Sequence, residues 1–280
     1  RVNRSALPAG RSLAELVAAV YFGPDELALV KGAPEGRRRF LDDLVVKVRP
    51  ARDGLRREWE RVLRQRNAAL RTVRARYGGR PDDTLSVWTE SFCRVGAALV
   101  TARLEVLDAL QPLVAERYGS IAGAGEVEIA YASSWLLEPE RDVAALESRL
   151  TEATGAVAAQ EIERGQSLIG PQRDDFSVVI RTPEGAAIEA RTHASQGDQR
   201  TCALALKLAE HDVLAAALGE QPILLLDDVF SELDPTRRAW LAKNVAELDQ
   251  ALVTTTAAED LDLAGVDVIY EIAGGTVIRR

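Results

Sequence analysis

Residues 223–228 constrain the fold of this chain more than any other part of its sequence. They read Ile-Leu-Leu-Leu-Asp-Asp, so four large apolar residues lead directly into two carboxylates. Such a run is typical of a buried central strand of an open α/β sheet, whose carboxyl end faces bound ligands. There the first carboxylate, Asp227, can hold Mg²⁺ and the second, Asp228, can polarise an attacking water. A strand that ends in a polar turn has the same sequence, so this stretch alone leaves both interpretations open.

Strand and helix patterns alternate along the second half of the chain, which predicts an α/β core. We expect strands at 127–131, 177–181, 187–191, 223–226, 251–255, 268–272 and 277–278, with the second and third joined as a hairpin around residues 183–185. We expect helices at 142–163, 199–218 and 235–248.

A helical lobe is predicted over residues 33–119, inserted between the parts of an α/β domain formed by residues 1–32 and 120–280. Apolar residues recur at spacings of three and four over 37–77 and again over 88–113. The breaker at 78–83 separates them, and Asp82, Asp83 or Thr84 can cap the second helix. Two long helices joined by a tight turn predict an antiparallel hairpin.

Charge is distributed unevenly along the chain, although the net charge is −8. Residues 1–80 contain 19 Lys or Arg against 9 Asp or Glu, and nearly all of the excess is Arg. Guanidinium groups match phosphate geometry, so a nucleic-acid backbone is one natural partner. The solvated face of a long helix would have the same pattern. The candidate DNA-binding residues are Arg56, Arg57, Arg61, Arg64, Arg71 and Arg74.

The composition excludes several classes of protein. No apolar run approaches the roughly 18 residues that span a bilayer, so we expect no membrane partner. The first residues do not form a signal peptide, and two widely separated cysteines indicate neither a metal site nor a disulfide scaffold. These features predict a cytoplasmic protein. The chain contains no Met, even at position 1, and we expect that its natural N-terminus is missing.

A second candidate site lies at the start of the helix predicted over 199–218. Residues 195–200 read Ser-Gln-Gly-Asp-Gln-Arg, and the free N–H groups and dipole of a helix N-terminus favour an anion. A plain N-cap is the commoner role of Ser in this position. Gly197 favours an anion site instead, because a cap needs no second flexible residue.

Three motifs with their spacing resemble those of a known class of ATPases. Ser-Gln-Gly-Asp-Gln-Arg, the apolar run with two Asp about thirty residues later, and Ser-Glu-Leu-Asp at 231–234 resemble the signature motif, Walker B strand and D-loop of SMC-class ABC-type ATPases. More narrowly, the chain resembles the RecF family of bacterial recombination mediators over nearly its whole length. The other matching stretches are 22–27, 30–32, 37–42, 65–67, 170–175 and 194–201.

This resemblance implies a DNA-binding ATPase with the α/β fold of an ABC-type head, which forms a homodimer on binding ATP. Asp227 would serve Mg²⁺ and Asp228 would be the general base. Ser195 and Gly197 would contact the γ-phosphate held by the other subunit, with Gln196 and Gln199 in the same nucleotide site, and Asp234 would contact that subunit. The family loads recombinase at gapped DNA, together with RecO and RecR, in DNA repair and the SOS response.

The chain departs from the pattern of this family in several places, among them Gly23 and Gln172, which replace the more usual Ser and His of their motifs. No G-x-x-x-x-G-K-[ST] occurs, so we expect this piece to lack the P-loop and first strands and to hydrolyse no ATP alone. Asp228 stands where many ABC ATPases have Glu, which suggests slow turnover in the full-length protein. Residues 254–256 are three threonines where the switch His is expected.

Two other classes of function remain open from the sequence. One is the nucleotide-binding subunit of a transporter, but its lobe would need an apolar groove for a membrane partner, whereas this lobe is rich in arginine. The other is a structural or adaptor protein without a P-loop that acts through the helical hairpin.

Overall fold

The structure is a computed structural model that describes residues 17–76, 82–136, 140–183, 185–256 and 266–280. The predictions made for residues 77–81 and for residue 184 lie outside the described residues. The chain divides into two compact units, Leu27–Leu218 and the pair Arg1–Glu26 with Gly219–Arg280. Each unit is described by itself. The predicted domain boundaries at residues 32 and 119 stay predictions.

The helices and strands follow the predicted alternation. In chain order they are β1 (Ala19–Phe22), α1 (Ala28–Lys31), α2 (Pro34–Val48), α3 (Asp53–Arg76), α4 (Asp83–Ala122), β2 (Glu126–Ala132), α5 (Val143–Arg164), β3 (Asp175–Arg181), β4 (Ala187–Glu189), α6 (Ala190–His193), α7 (Gln196–Leu218), β5 (Ile223–Asp227), α8 (Pro235–Ala246), β6 (Ala251–Thr254), β7 (Tyr270–Ala273) and β8 (Thr276–Arg279). Short 3₁₀ helices cover Pro24–Leu27, Pro50–Arg52 and Phe230–Glu232.

Two predicted elements differ from the structure by more than a shift of their end residues. The helical pattern from residue 37 to 76 is broken into α2 and α3, because Pro50 has no N–H to donate and its ring clashes with a continuing helix. Residues 190–191 were predicted in the second strand of the hairpin but lie in α6. Their carbonyl oxygens accept hydrogen bonds from the Gln199 side chain at 2.9 and 3.3 Å, which turns the chain away from β3.

The antiparallel hairpin of α3 and α4 is confirmed. Trp59 of α3 packs against Phe92 of α4 with ring centroids 4.8 Å apart, and Arg66, further along α3, donates to Thr89, further back along α4. A residue later in α3 thus contacts a residue earlier in α4, so the two helices run in opposite directions. Asp82 caps α4 by accepting from the N–H of Leu85 at 2.8 Å, as the sequence predicted.

An antiparallel sheet of order β2-β3-β4 completes the unit of residues 27–218. β2 pairs with β3 over seven residues, and alternate side chains on these strands are buried. This alternation is what a half-buried antiparallel sheet requires. Within the described residues, no helix of either unit is both long and apolar enough to cross a membrane.

The second unit is built around a parallel sheet of order β1-β5-β6, with β7 and β8 as a separate antiparallel hairpin. Leu224 and Leu226 of β5 are buried, whereas Ile223 and Leu225 are half-buried. The apolar run is therefore the central strand of this sheet, and one of its faces is the more deeply packed. Asp227 lies at the carboxyl end of β5, opposite Thr254 of β6.

Candidate functional site

The carboxylate of Asp227 is held by two hydroxyl groups from the neighbouring strands. Thr254 of β6 donates to Oδ1 at 2.6 Å, and Tyr21 of β1 donates to Oδ2 at 3.0 Å. These bonds lower the pKa of Asp227, the bond from Thr254 having the larger effect. The structure thus places an ionised carboxylate at the sheet edge where ligands bind in open α/β folds.

Asp228 has an unusual backbone conformation and a free carboxylate oxygen. Its φ is 52°, in the left-handed region, and among the described residues other than glycine it is the one with positive φ. Its N–H donates to the carbonyl oxygen of Thr254 at 3.1 Å and to the hydroxyl oxygen at 3.2 Å. Its Oδ1 is buried and has no hydrogen-bond partner. Buried polar atoms normally have partners, so this oxygen is an acceptor whose hydrogen bond the described residues do not supply.

Asp227 is the residue predicted to hold a metal ion at this edge, and its carboxylate lies at the end of β5. No group of three or more His, Cys, Asp or Glu that could hold a metal occurs in the part of the chain that the structure describes. Mg²⁺ in nucleotide sites is commonly bound by one or two carboxylates together with phosphate oxygens and waters. Asp227 fits that kind of site and does not fit a site made of protein ligands alone.

The segment after β5 ends in a well-formed helix cap. Residues Phe230–Glu232 form a 3₁₀ turn, and Ser231 donates to the carbonyl oxygen of Asp228 at 2.8 Å. Asp234 caps α8 by accepting from the N–H groups of Thr236 and Arg237 at 3.0 and 3.1 Å. The predicted contact of Asp234 with another subunit is not tested by this geometry. Its cap bonds show why an Asp suits this position locally.

The mouth of α7 is exposed and capped by a serine. The Ser195 hydroxyl accepts from the N–H of Asp198 at 3.2 Å and donates to the Asp198 carboxylate at 2.7 Å. Ser195 and Gln196 are exposed, and Gly197 is half-buried beside them. The structure is compatible with both sequence interpretations, a plain N-cap and an anion site. A capping serine at an exposed helix N-terminus is also accessible to a ligand.

Gln199 differs from its neighbours because it is buried, with 4% of its surface exposed. Its amide donates to the carbonyl oxygens of Ala190 and Arg191. These bonds fix the turn that precedes the helix mouth. A direct contact of Gln199 with a nucleotide stays a prediction, and the bonds observed here suit a residue that positions Ser195.

Half of the arginines predicted to bind DNA already have acidic partners. The pairs are Arg56 with Asp43 at 3.0 Å, Arg57 with Asp53, and Arg64 with Glu60 at 4.0 Å. All three pairs lie at the surface, where an ion pair contributes only about 0–1 kcal/mol. The charge excess seen in the sequence is therefore partly neutralised in the fold, but by bonds that a phosphate could replace.

The other three arginines form no ion pair with any described residue. Arg61 lies over the ring of Trp88, 5.7 Å from its centroid. Arg74 donates to the carbonyl oxygen of Glu163 at 3.3 Å. Arg71 is exposed, and the described residues provide it with no carboxylate.

Sequence reasoning missed Tyr21. Its hydroxyl contacts Asp227, a residue 206 positions away, because β1 and β5 are adjacent parallel strands with Tyr21 opposite Leu225. Asp227 follows Leu225 by two positions and so lies on the same face of the sheet. A parallel pairing between such distant segments has no local signal in the sequence.

A scan against protein-family models finds no match, but curated relatives are similar over the whole chain. The DNA replication and repair protein RecF of Streptomyces avermitilis is 43% identical over 287 residues, which cover 100% of this chain and 74% of that protein. RecF of Beutenbergia cavernae is 42% identical over 305 residues, which cover 100% of this chain and 76% of that protein.

Solved structures of similar fold agree with the curated relatives. The recombination mediator protein RecF-ATP of the RecFOR pathway aligns with a TM-score of 0.84 and 25% identity, over 99% of this chain and 71% of that chain. The Smc head domain from Pyrococcus furiosus aligns with a TM-score of 0.50 and 14% identity, over 94% and 61%. The similarity to the Smc head domain concerns the fold alone. The predicted α/β fold of an ABC-type ATPase head is confirmed.

Proposed function

The chain belongs to the RecF family of DNA replication and repair proteins, and from this premise we propose that it is an ATP-dependent, DNA-binding recombination mediator. The observation that carries the proposal is the acidic pair at the end of β5. Asp227 is ionised and fixed by two hydroxyls, whereas the Oδ1 atom of Asp228 is buried and unpartnered. The two carboxylates thus have the different environments that two different roles require.

Asp227 would hold Mg²⁺ and Asp228 would be the general base for hydrolysis. Bound Mg²⁺ supplies charge neutralisation for the phosphates of ATP. The low pKa of Asp227 keeps its carboxylate available as a ligand. The free Oδ1 of Asp228 can accept a hydrogen bond from a water and then its proton. Asp is one methylene shorter than Glu, which is consistent with slow turnover.

The mouth of α7 would bind the nucleotide of a second copy of the protein. Ser195 and Gln196 are exposed there, and Gly197 allows close approach of a phosphate to the helix N-terminus. Asp234, at the start of α8, would contact the same second copy. Each copy then contributes to the site of the other, so ATP would drive formation of a homodimer.

DNA would bind through the arginines of α3. Arg61, Arg71 and Arg74 have no acidic partner among the described residues, and the weak surface pairs of the other three can be exchanged for phosphate. The partners named for the solved relative, the RecFOR pathway, suggest that RecO and RecR act with this protein. We also propose a role in the SOS response and a location in the cytoplasm, where bacterial DNA is found.

A change at the helix mouth tests the dimer. In the protein expressed from its complete reading frame, Ser195→Arg should abolish the ATP-dependent doubling of mass in light scattering, while ATP binding persists. Ser148→Arg, on the exposed surface of α5, is the matched control and should dimerise normally. ATP-driven dimers of Ser195→Arg would contradict the contact in trans.

The alternatives drawn from the sequence make different predictions. Similarity to RecF over the whole of this chain does not favour a transporter subunit. An adaptor that acts without nucleotide would bind DNA or partners equally well with and without ATP. DNA binding that needs no ATP and is unaffected by Asp227→Ala would favour the adaptor.

A further inference from the structure

Tyr21 and Thr254 both donate hydrogen bonds to the Asp227 carboxylate, from opposite sides of β5. β5 lies between β1 and β6, so the two hydroxyls approach Asp227 from different strands. Each hydroxyl takes one oxygen, Thr254 donating to Oδ1 at 2.6 Å and Tyr21 to Oδ2 at 3.0 Å. A carboxylate with both oxygens bonded in this way has one preferred rotamer, because rotation would break both bonds.

Thr254 also positions Asp228, the residue that follows Asp227. Its hydroxyl oxygen accepts from the N–H of Asp228 while its O–H donates to Asp227. A hydroxyl has one donor and two acceptor positions, so both bonds can exist together. A single side chain thus links the position of the first carboxylate to the strained backbone of the second.

We infer that Tyr21 and Thr254 are positioning residues, which orient the Asp227 carboxylate toward the metal of bound ATP. Thr254 also helps to hold Asp228 in its left-handed conformation, because it accepts from the N–H of Asp228. This inference rests on the proposed function, because it assumes that Asp227 is the metal ligand. Groups that hydrogen-bond to a metal ligand typically affect metal affinity about 10–100-fold. Thr254 has the shorter bond and two roles, so its loss should have the larger effect.

The test compares isosteric variants in the protein expressed from its complete reading frame. Thr254→Val removes the hydroxyl and keeps the shape, Thr254→Ser keeps the hydroxyl, and Tyr21→Phe removes the other donor. The readout is the Mg²⁺ concentration that gives half-maximal binding of a fluorescent ATP analogue. Thr276→Val and Tyr270→Phe, on the exposed hairpin of β7 and β8, are the matched controls.

We expect Thr254→Val to raise the half-maximal Mg²⁺ concentration about tenfold or more. Tyr21→Phe should raise it less, Thr254→Ser should restore the wild-type value, and neither control should change it. Binding of the analogue without Mg²⁺ should be the same in all variants, which separates positioning of the metal ligand from general damage to the site. Tyr21→Phe leaves the ring at a partly exposed position and keeps the test valid if Thr254→Val folds poorly.

Asp227→Ala separates failure of this inference from failure of the proposed function. If Asp227→Ala raises the Mg²⁺ requirement but Thr254→Val and Tyr21→Phe do not, the positioning role is wrong and the metal site stands. If Asp227→Ala has no effect, the metal site proposed for Asp227 is wrong, and the positioning role is overturned with it.

Discussion

The N–H of Asp228 donates to the carbonyl oxygen of Thr254 at 3.1 Å, and this bond holds Asp228 at a φ of 52°. The left-handed conformation costs an L residue about 1–2 kcal/mol, and Gly adopts it without that cost. The unpartnered buried oxygen of Asp228 adds a cost of desolvation. Strain is therefore concentrated at the residue proposed to activate water.

Removing the backbone strain at residue 228 should stabilise the fold but abolish ATP hydrolysis. Asp228→Gly should raise the free energy of unfolding by about 1 kcal/mol, measured by urea denaturation of the chain. In the protein from the complete reading frame it should abolish ATP hydrolysis. Asp249→Gly is the matched control, because Asp249 is exposed and has no positive φ, and it should lower stability. Equal destabilisation by both changes would refute strain at Asp228.

A second variant tests the role of the Asp228 carboxylate separately from the backbone conformation of that residue. Asp228→Asn tolerates the left-handed region as well as Asp does, so the free energy of unfolding should stay within about 0.5 kcal/mol of wild type. Hydrolysis should be lost while the ATP-dependent dimer still forms, because Asn accepts no proton. Normal turnover in Asp228→Asn would remove Asp228 from the role of general base.

Arg66 should be the most important charged residue of the helical hairpin for stability. It forms a 2.6 Å ion pair with Glu161, with 2% and 0% of the side chains exposed, and also donates to Ser167 at 2.7 Å. Removal of one partner of a buried pair costs about 3–5 kcal/mol, because a buried charge is left alone. Arg66→Ala should therefore lower the free energy of unfolding by that amount in chemical denaturation.

The control for Arg66 lies on the same helix. Arg57 pairs with Asp53 at the surface, where 71% and 55% of the side chains are exposed. Arg57→Ala should change stability by less than about 1 kcal/mol. If Arg57→Ala costs as much as Arg66→Ala, the buried ion pair does not explain the loss, because Ala itself favours a helix at least as well as Arg.

Local patterns predicted the central strand, the helical hairpin and the caps correctly. Asp227 and Asp228 were placed at the end of a strand because four apolar residues precede them, and Asp82 was among the predicted caps. The sequence did not indicate the contact of Tyr21 with Asp227, nor that Asp43 would neutralise Arg56. Both contacts depend on elements brought together by tertiary packing, and charge counts along the chain carry no information on such pairing.

Asp174 should make stability depend on pH. It is buried, it accepts hydrogen bonds from Tyr131 at 2.9 Å and Trp135 at 3.1 Å, and burial raises its pKa to about 6. In the unfolded chain an Asp has a pKa of about 3.9, so between these values the folded state binds more protons than the unfolded state. The contribution of Asp174 to stability should fall as pH rises from about 4 to 6, by about 2 kcal/mol.

The measurement compares Asp174→Asn with wild type. Asn keeps an oxygen for Tyr131 and Trp135 but does not ionise. The difference in free energy of unfolding between variant and wild type should move in favour of the variant by about 2 kcal/mol between pH 4.5 and pH 7.5. Other carboxylates cancel in this difference. A difference that is constant with pH would show that Asp174 has an ordinary pKa.

DNA binding through α3 should depend steeply on salt, and the arginines should contribute unequally. Each phosphate contact adds about 0.9 to the slope of log affinity against log salt concentration. Arg71→Ala and Arg74→Ala should each reduce the slope by about 1. Arg57→Ala should reduce the slope less, because Asp53 already neutralises Arg57.

The control for the salt dependence is Arg141, which pairs with Asp108 outside α3. Arg141→Ala should leave the slope unchanged. Fluorescence anisotropy with a labelled duplex at several salt concentrations measures each slope. An identical slope in wild type, Arg71→Ala and Arg74→Ala would show that DNA contacts another surface.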